Sequence, residues 1–348
     1  MNWSRLTSRN WSRVTSLEAW RGKALEAAWK MRSRPAPGNF TPSWPLDAQE
    51  LDSISVRWPR KYKWGLAPTW VDPLRYGLAR YVRVELADIP QTHKGIALIE
   101  ICIRGKKHNV AIDYLDLPEI DEDHARRCFL YFKMQFASGG YGFENVVPGG
   151  YIPNAVDIYG YLPHVRAMAD RKSYRYEVYG RFGLNFAQEV RRKACSLLEN
   201  QKHFSWEGSL QVKPYCISLS EIAHSKICID LPGKGDFCFR LADYMAVGSC
   251  VIAARHRNTL PVPLVEGKHI VYVKDDFSDL VDLCRFYLQN DDAREALRRN
   301  SRAYFDSYLH RDQLAAYYLH SCLKATQKKS EAVSYCIQGH EAGAAPYS

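Results

Sequence analysis

The chain has 348 residues, 46% of them hydrophobic and 25% charged, with a formal net charge of +10. It is long enough for two ordinary domains and too apolar for a disordered polymer. A membrane-spanning helix is excluded as well: the longest apolar run, Tyr244 to Ala254, is broken by Gly248 and falls short of the roughly 20 residues a span needs.

Residues 1–34 carry eight Lys or Arg against Glu18 and Glu26, so this short segment holds +6 of the +10. It contains a near repeat, N-W-S-R-L-T-S and N-W-S-R-V-T-S. Leu17 to Met31 then places Trp20, Ala24, Ala27, Ala28 and Met31 at helical spacing. A basic amphipathic helix edged by Trp suits docking on an anionic membrane surface, which would make the protein peripheral on a cytoplasmic face. It equally suits a helix whose stripe packs on the main body, and the sequence leaves both open. Nucleic acid is disfavoured, because the remaining +4 is spread along the chain without a basic stripe. The N-terminus lacks an apolar signal core and none of the ten cysteines forms a C-x-x-C pair. They are expected to be small buried hydrophobes in a reducing cytosol, with no bound metal or cofactor. Arg34 to Pro45, with four prolines, reads as a linker that closes an extension over 1–45.

Residues 46–165 form the expected first α/β domain. Ile96–Ile103 and Asn109–Tyr114 read as strands, and Ala125 to Phe136 as a strand or short helix. Asp113 and Asp116 follow the second strand, at the carboxyl end where α/β sites form, and are the candidates for a carboxylate base. Capping of the next turn would explain them too. Two loops rich in glycine and aromatics, 138–143 and 148–153, suit sugar stacking or simple chain reversal.

The expected second domain, 166–327, opens with a strand over Tyr174–Tyr179 that runs into the turn Gly180-Arg-Phe-Gly183. A helix over Ala187–Leu198 should turn Arg191 and Arg192 to solvent. A strand near Gln211–Val212 and a helix over Ser218–Ala223 follow, the latter with the Ser218/Glu221 spacing of a capping box. Then comes the cleanest alternation in the chain: strand Lys226–Asp230, turn Leu231–Asp236, helix Phe237–Val247, and strands Ser249–Ala254 and His269–Val273. This is the pattern of a parallel sheet. Asp236 is placed to cap the helix and Gly248 to end it in the left-handed conformation. Gly233 and Gly235 would let a phosphate approach the backbone, with Lys234 and Arg240 adding charge. Asp243, one turn beyond Arg240, could accept both hydroxyls of a ribose. A surface turn followed by an intrahelical Arg–Asp pair explains the same residues, and a capping Asp236 would occupy the amides a phosphate needs. Further on, His256 lies in a cationic loop, as a catalytic group or a bystander, and Glu266 is a second ribose contact or a turn residue. Helices over Ser278–Tyr287 and Ala293–Leu323 are expected to close this domain, and 328–348 to be a disordered tail.

The segment R-L-A-D-Y-M-A-V-G-S-C-V-I-A resembles the arginine and E-A-L-A-x-G-x-x-V-I pattern of glycosyltransferases built from two Rossmann-like halves, the GT-B fold. Val271 to Leu280 is similar to the V-x-Y-V-x-x-D-x-S-D-L segment of exostosin-like and protein O-glucosyltransferase-like members, and Tyr131 to Phe136 to a Y-F-K-x-Q segment near their middle. The resemblance implies sugar transfer, without a metal, from a nucleotide-sugar donor to a hydroxyl of a glycan, a protein or a lipid-linked acceptor. It implies that Asp243 binds the donor ribose, although an Asp stands where most members have Glu. It also implies that Arg181 and Arg240 face the diphosphate, and that the first domain binds the acceptor and supplies a base in inverting members. The competing expectation is a non-catalytic protein that binds a nucleotide or a partner at a membrane surface.

Overall fold

The computed structural model describes residues 16–32, 41–151, 158–210 and 213–341. The near repeat in 1–15, the linker core, most of the 151–153 loop end and the expected strand at 211–212 lie outside them. The chain forms two α/β domains, each on its own sheet. The N-terminal helix α1 (Ser16–Arg32) packs on helices of the second domain, and the first domain is built from α2 (Ala48–Asp52), β1 (Ile54–Pro59), α3 (Ala67–Leu78), β2 (Arg83–Ala87), β3 (Ile96–Ile103), β4 (Lys106–Asp113), α4 (Glu122–Arg127), β5 (Leu130–Lys133) and β6 (Val146–Pro148). The sheet order is β2-β1-β3-β4-β5-β6. It is mixed: β3 runs antiparallel to both β1 and β4, while β4, β5 and β6 are parallel. Its long hairpin exists because the Arg104-Gly105 turn, with φ of 48° and 79°, adopts the left-handed conformations a tight reversal needs.

The second domain contains α5 (Ile158–Asp170), β7 (Tyr176–Arg181), α6 (Gln188–Asn200), β8 (Trp206–Ser209), α7 (Tyr215–Ala223), β9 (Ser225–Asp230), α8 (Phe239–Val247), β10 (Cys250–Ala253), β11 (Val271–Tyr272), α9 (Leu280–Gln289) and α10 (Asp291–Tyr304). Its sheet, β11-β10-β9-β7-β8, is parallel throughout. Both faces are covered, which is why the strands read as continuous apolar runs. Ile227, Ile229, Cys250 and Ile252 point to one core with Leu198, Leu280 and Cys284, while Cys228, Val251 and Ala253 point to the other with Leu219, Leu241 and Met245. Gly248 ends α8 at φ 89°, as expected from sequence, and Ser249 N–H bonds back to Tyr244 O at 2.9 Å.

The last helix departs from expectation. α9 and α10 do close the second domain, but after the π-helical segment Phe305–Leu309 the helix α11 (Arg311–Glu341) crosses to the first. There Tyr318 stacks on Phe132 at 3.7 Å and donates to Gly149 O, Tyr317 donates to Pro148 O, and Arg311 O presses on Gly77 of α3. The domains are thus not sequential blocks, and one buried core runs through both. The helix also continues to Glu341, through residues expected to be disordered. Ser330 to Glu341 holds no proline and several good helix formers, so nothing stops it.

Candidate functional site

In the second sheet the chain places β8 outside β7, then reverses and adds β9, β10 and β11 on the other side. The reversal lies between β7 and β9. Ligands of parallel sheets bind beyond the carboxyl ends of strands at such a point. A cleft of about 740 Å³ opens there, lined by the end of β7, the Gly233-Lys234 turn that follows β9, the start of α8, Tyr215 of α7, Trp70 of α3 and one side of α1.

Five of the residues singled out from sequence, Asp116, Arg181, Lys234, Arg240 and Asp243, line this cleft. Their surroundings differ sharply. Arg181 spends its guanidinium on Glu221 (2.8 Å), Glu207 and Ser209 Oγ (2.8 Å), so its charge is already balanced by two carboxylates. Arg240 reaches Leu231 O at 2.7 Å, lies 3.6 Å from the buried Asp230 carboxylate, and covers the Phe182 ring at 5.0 Å. Burial pushes Asp230 up to about 6 against the pull of Arg240 and Arg191. Asp243 accepts from Tyr215 Oη at 2.8 Å and is otherwise enclosed, so burial lifts it to about 7, opposed by Tyr215 and Arg240. The neighbouring Tyr244 hydroxyl is buried at the cleft and makes no hydrogen bond among the described residues.

Arg191 is the largest surprise. It belongs to α6 and was expected to face solvent, yet it is 4% exposed and lines the cleft. It donates to Pro232 O at 2.9 Å and to Gly183 O, both carbonyls, and among the described residues no carboxylate pairs with it. Burial, then the nearby Arg240, lower its pKa. The backbone amides at the head of α8 are a second source of positive potential. Asp236 does not cap them: its carboxylate accepts from Arg257 N at 2.6 Å instead. The helix starts two residues later than expected, with Cys238 at the N-cap position and no side-chain cap. The objection that a capping carboxylate fills this anion site is therefore removed. In α7 the expected capping box is likewise absent, because the helix begins at Tyr215 and Glu221 turns to Arg181 and Lys213.

Three expected residues are not in the cleft lining. Asp113 is fully buried, ion-paired with Lys133 at 3.0 Å and bonded by Tyr131 Oη and Leu115 N. Burial raises it while Lys133 opposes, and every oxygen is engaged, so this carboxylate is a structural one. Gly235 packs against the first domain: a Cβ there would fall 2.6 Å from the Gln135 carboxamide and 2.9 Å from Asp116 O. Its bareness lets the domains approach, rather than a phosphate. Glu266 sits half-exposed beside Arg255 at 3.3 Å. His256 lies in the loop after β10, partly buried against other rings. Burial holds it neutral, lowering it to about 3, between Phe237 and Tyr272.

Asp116 is thus the carboxylate the first domain offers. Burial raises its pKa, with the Gln135 hydrogen bond and the Lys234 and Lys133 charges pulling the other way. Gln135, unforeseen from sequence, holds the two halves in register. Its carboxamide bonds Phe237 through both N–H (3.2 Å) and C=O (2.8 Å), accepts from Asn258 at 2.7 Å, and reaches Asp116 at 3.4 Å.

The fold is that of an α/β protein with a cation-lined cleft at a sheet switch point. Comparison adds that residues 164–319 match the model of a family described as glycosyl transferase-like. Among solved structures, a glycosyltransferase from Rickettsia africae ESF-5 is similar at 14% identity over 48% of this chain and 44% of that one, with a TM-score of 0.31. A protein described as a UDP-N-acetylglucosamine 2-epimerase from Listeria monocytogenes is similar at 10% identity over 60% of this chain and 61% of that one, with a TM-score of 0.34. The chain therefore spans less than two thirds of either. No curated protein matches it.

Proposed function

We propose that the protein is a GT-B-type glycosyltransferase that moves a sugar from a nucleotide donor to an acceptor hydroxyl in the cleft between its domains. The carrying observation is the arrangement at the switch point. Arg191, Lys234, Arg240 and the head of α8, which no side chain caps, surround one side, with the Asp230 and Asp116 carboxylates beside them, while Asp243 stands one helical turn deeper. Such a set neutralises a leaving diphosphate without needing a metal, since fixed cations and amides cost no reorganisation as charge develops. Asp243, presented with Tyr215, takes the ribose hydroxyls. Arg181 acts through its hold on Glu221 and Ser209 rather than as a phosphate ligand.

Across the cleft Asp116 is the base. A carboxylate whose pKa is raised toward the working pH accepts a proton from an attacking hydroxyl more readily than an ordinary one. The acceptor is a glycan, a protein or a lipid-linked sugar held on a membrane surface, and the exposed apolar side of α1 favours the last. Isothermal titration with UDP, GDP and ADP tests the donor half: at least one should bind, and Arg240→Ala should weaken it. Binding of none, or equal binding by the variant, sinks the assignment. Donor hydrolysis by the purified protein, lost in Asp116→Asn with nucleotide binding retained, separates an enzyme from a binding protein.

A further inference from the structure

The helix α1 has two working faces. Gly22, Leu25 and Trp29 pack on the body: Trp29 is 4% exposed and lies 5.3 Å from the Tyr161 ring, and a Cβ on Gly22 would come within 2.7 Å of Pro214. Glu18 on the same side pairs with Lys213 at 3.3 Å. The side with Ala19, Gly22, Lys23 and Glu26 walls the cleft. The apolar stripe read from the sequence is on the other side, in solvent. Leu17, Trp20 and Met31 are 69%, 73% and 83% exposed, with Ala24 and Ala27 exposed between them. At 3.6 residues per turn these five fall within an arc of roughly 80° that points away from Trp29. Lys23 and Lys30 border the arc on one edge and Arg21 on the other, while Glu18 pairs with Lys213 on the body and Glu26, beyond the lysine edge, pairs with Lys30 at 2.7 Å.

A solvated apolar stripe between rows of cations matches the interface of an anionic bilayer, where indole and aliphatic groups sit at headgroup level and cations meet lipid phosphates. A second copy of the chain fits worse. Two such stripes face to face would bring Arg21, Lys23 and Lys30 against their own kind. We infer that α1 docks on an anionic bilayer through Leu17, Trp20, Ala24, Ala27 and Met31 while its opposite face stays on the body, and that docking thereby holds the cleft wall closed. Because bilayer and cleft ligand both favour the seated helix, each strengthens the other by linkage. The closing effect rests on the nucleotide-donor proposal above; the docking does not.

The test uses the full chain and vesicles of phosphatidylcholine with or without phosphatidylglycerol, at low salt. The wild type should sediment with the anionic vesicles alone, and the double variant Trp20→Glu, Met31→Glu should stay in solution while binding nucleoside diphosphate as before. UDP, GDP or ADP, whichever binds in solution, should bind about fivefold or more tightly when anionic vesicles are present. Equal sedimentation of the variant, or of wild type with neutral vesicles, overturns the docking surface, and so does a change of oligomeric state in the variant, which would give the stripe to a second copy. Unchanged or weaker nucleotide binding on vesicles overturns the coupling, since it means the helix is drawn off the cleft. If no nucleotide binds under any condition, the donor proposal has failed, and sedimentation still decides the docking.

Discussion

Two sets of strand ends face the middle of this molecule, and they have opposite chemistry. At the carboxyl ends of β4 and β5, Asp113 meets Lys133 at 3.0 Å, and Tyr131, Leu115 and Gly149 close the remaining valences. At the ends of β7 and β9, Arg191 and Arg240 bond mainly to carbonyls, no side chain caps the α8 amides, and Tyr244 Oη has no hydrogen-bond partner among the described residues. Both sets are carboxyl ends of parallel strands, but the order reverses between β7 and β9 and runs on without reversal through β4, β5 and β6. The second set, where Arg191 pairs with no carboxylate among the described residues, is the one we propose as the ligand site.

The largest effect should come from breaking the sealed end. Lys133→Ala strands a buried carboxylate, which costs about 3–5 kcal/mol, so thermal unfolding should drop by many degrees. Nucleotide affinity of the folded fraction should barely move. Loss of affinity beyond the loss of fold would mean the first domain contributes directly to the donor site.

Next is the open end. Arg191→Ala removes a buried cation facing the proposed diphosphate and should weaken nucleoside diphosphate binding by about 1.5–3 kcal/mol, the range for hydrogen bonds to charged groups. Titration calorimetry reads it. Unchanged affinity would return Arg191 to a loop-bracing role through Pro232 and Gly183.

Sequence alone carried the second sheet well and the first only partly. Gly248, Arg240 and Asp243 were legible because helix spacing and a left-handed terminus are local facts, fixed by residues within two turns. Arg191 was not, because the carbonyls that hold it at the cleft belong to the irregular turn at Gly183 and to Pro232, 41 residues away, and neither is read from helix spacing. Asp236 and Ser218 were misread for a related reason. Each can cap a helix, but Arg257 N claims one carboxylate, and Glu221, the other member of the supposed box, answers to Arg181 and Lys213. The α1 stripe was found with its side unknown, since periodicity marks an apolar face without saying what covers it. That α11 would cross domains had no local signal at all.

A smaller effect concerns Asp243. Its folded pKa of about 7 lies above the ordinary carboxylate value, so between about pH 4 and 7 the folded state holds the extra proton and stability falls as pH rises, levelling off above. Asp243→Asn should flatten that slope in urea titrations. In the wild type, nucleotide affinity should rise between pH 6 and 8 as the carboxylate ionises toward ribose hydroxyls, and the Asn variant should lose that part of the rise. An identical profile in both would detach Asp243 from the ligand. Smallest of all is Glu266→Ala. An exposed pair with Arg255 is worth at most about 1 kcal/mol, and neither stability nor nucleotide binding should change measurably.

The most direct test of the central claim is calorimetric titration of the protein with nucleoside diphosphates, in parallel with Lys234→Ala. Lys234 lines the cleft at the turn before α8, away from the sealed Asp113 cluster. Saturable binding of one nucleotide by the wild type, weakened roughly tenfold in the variant, is the expected result for one lost charge-assisted contact. Absence of binding in the wild type, or equal affinity in both, would contradict the assignment of this switch-point cleft as the donor site.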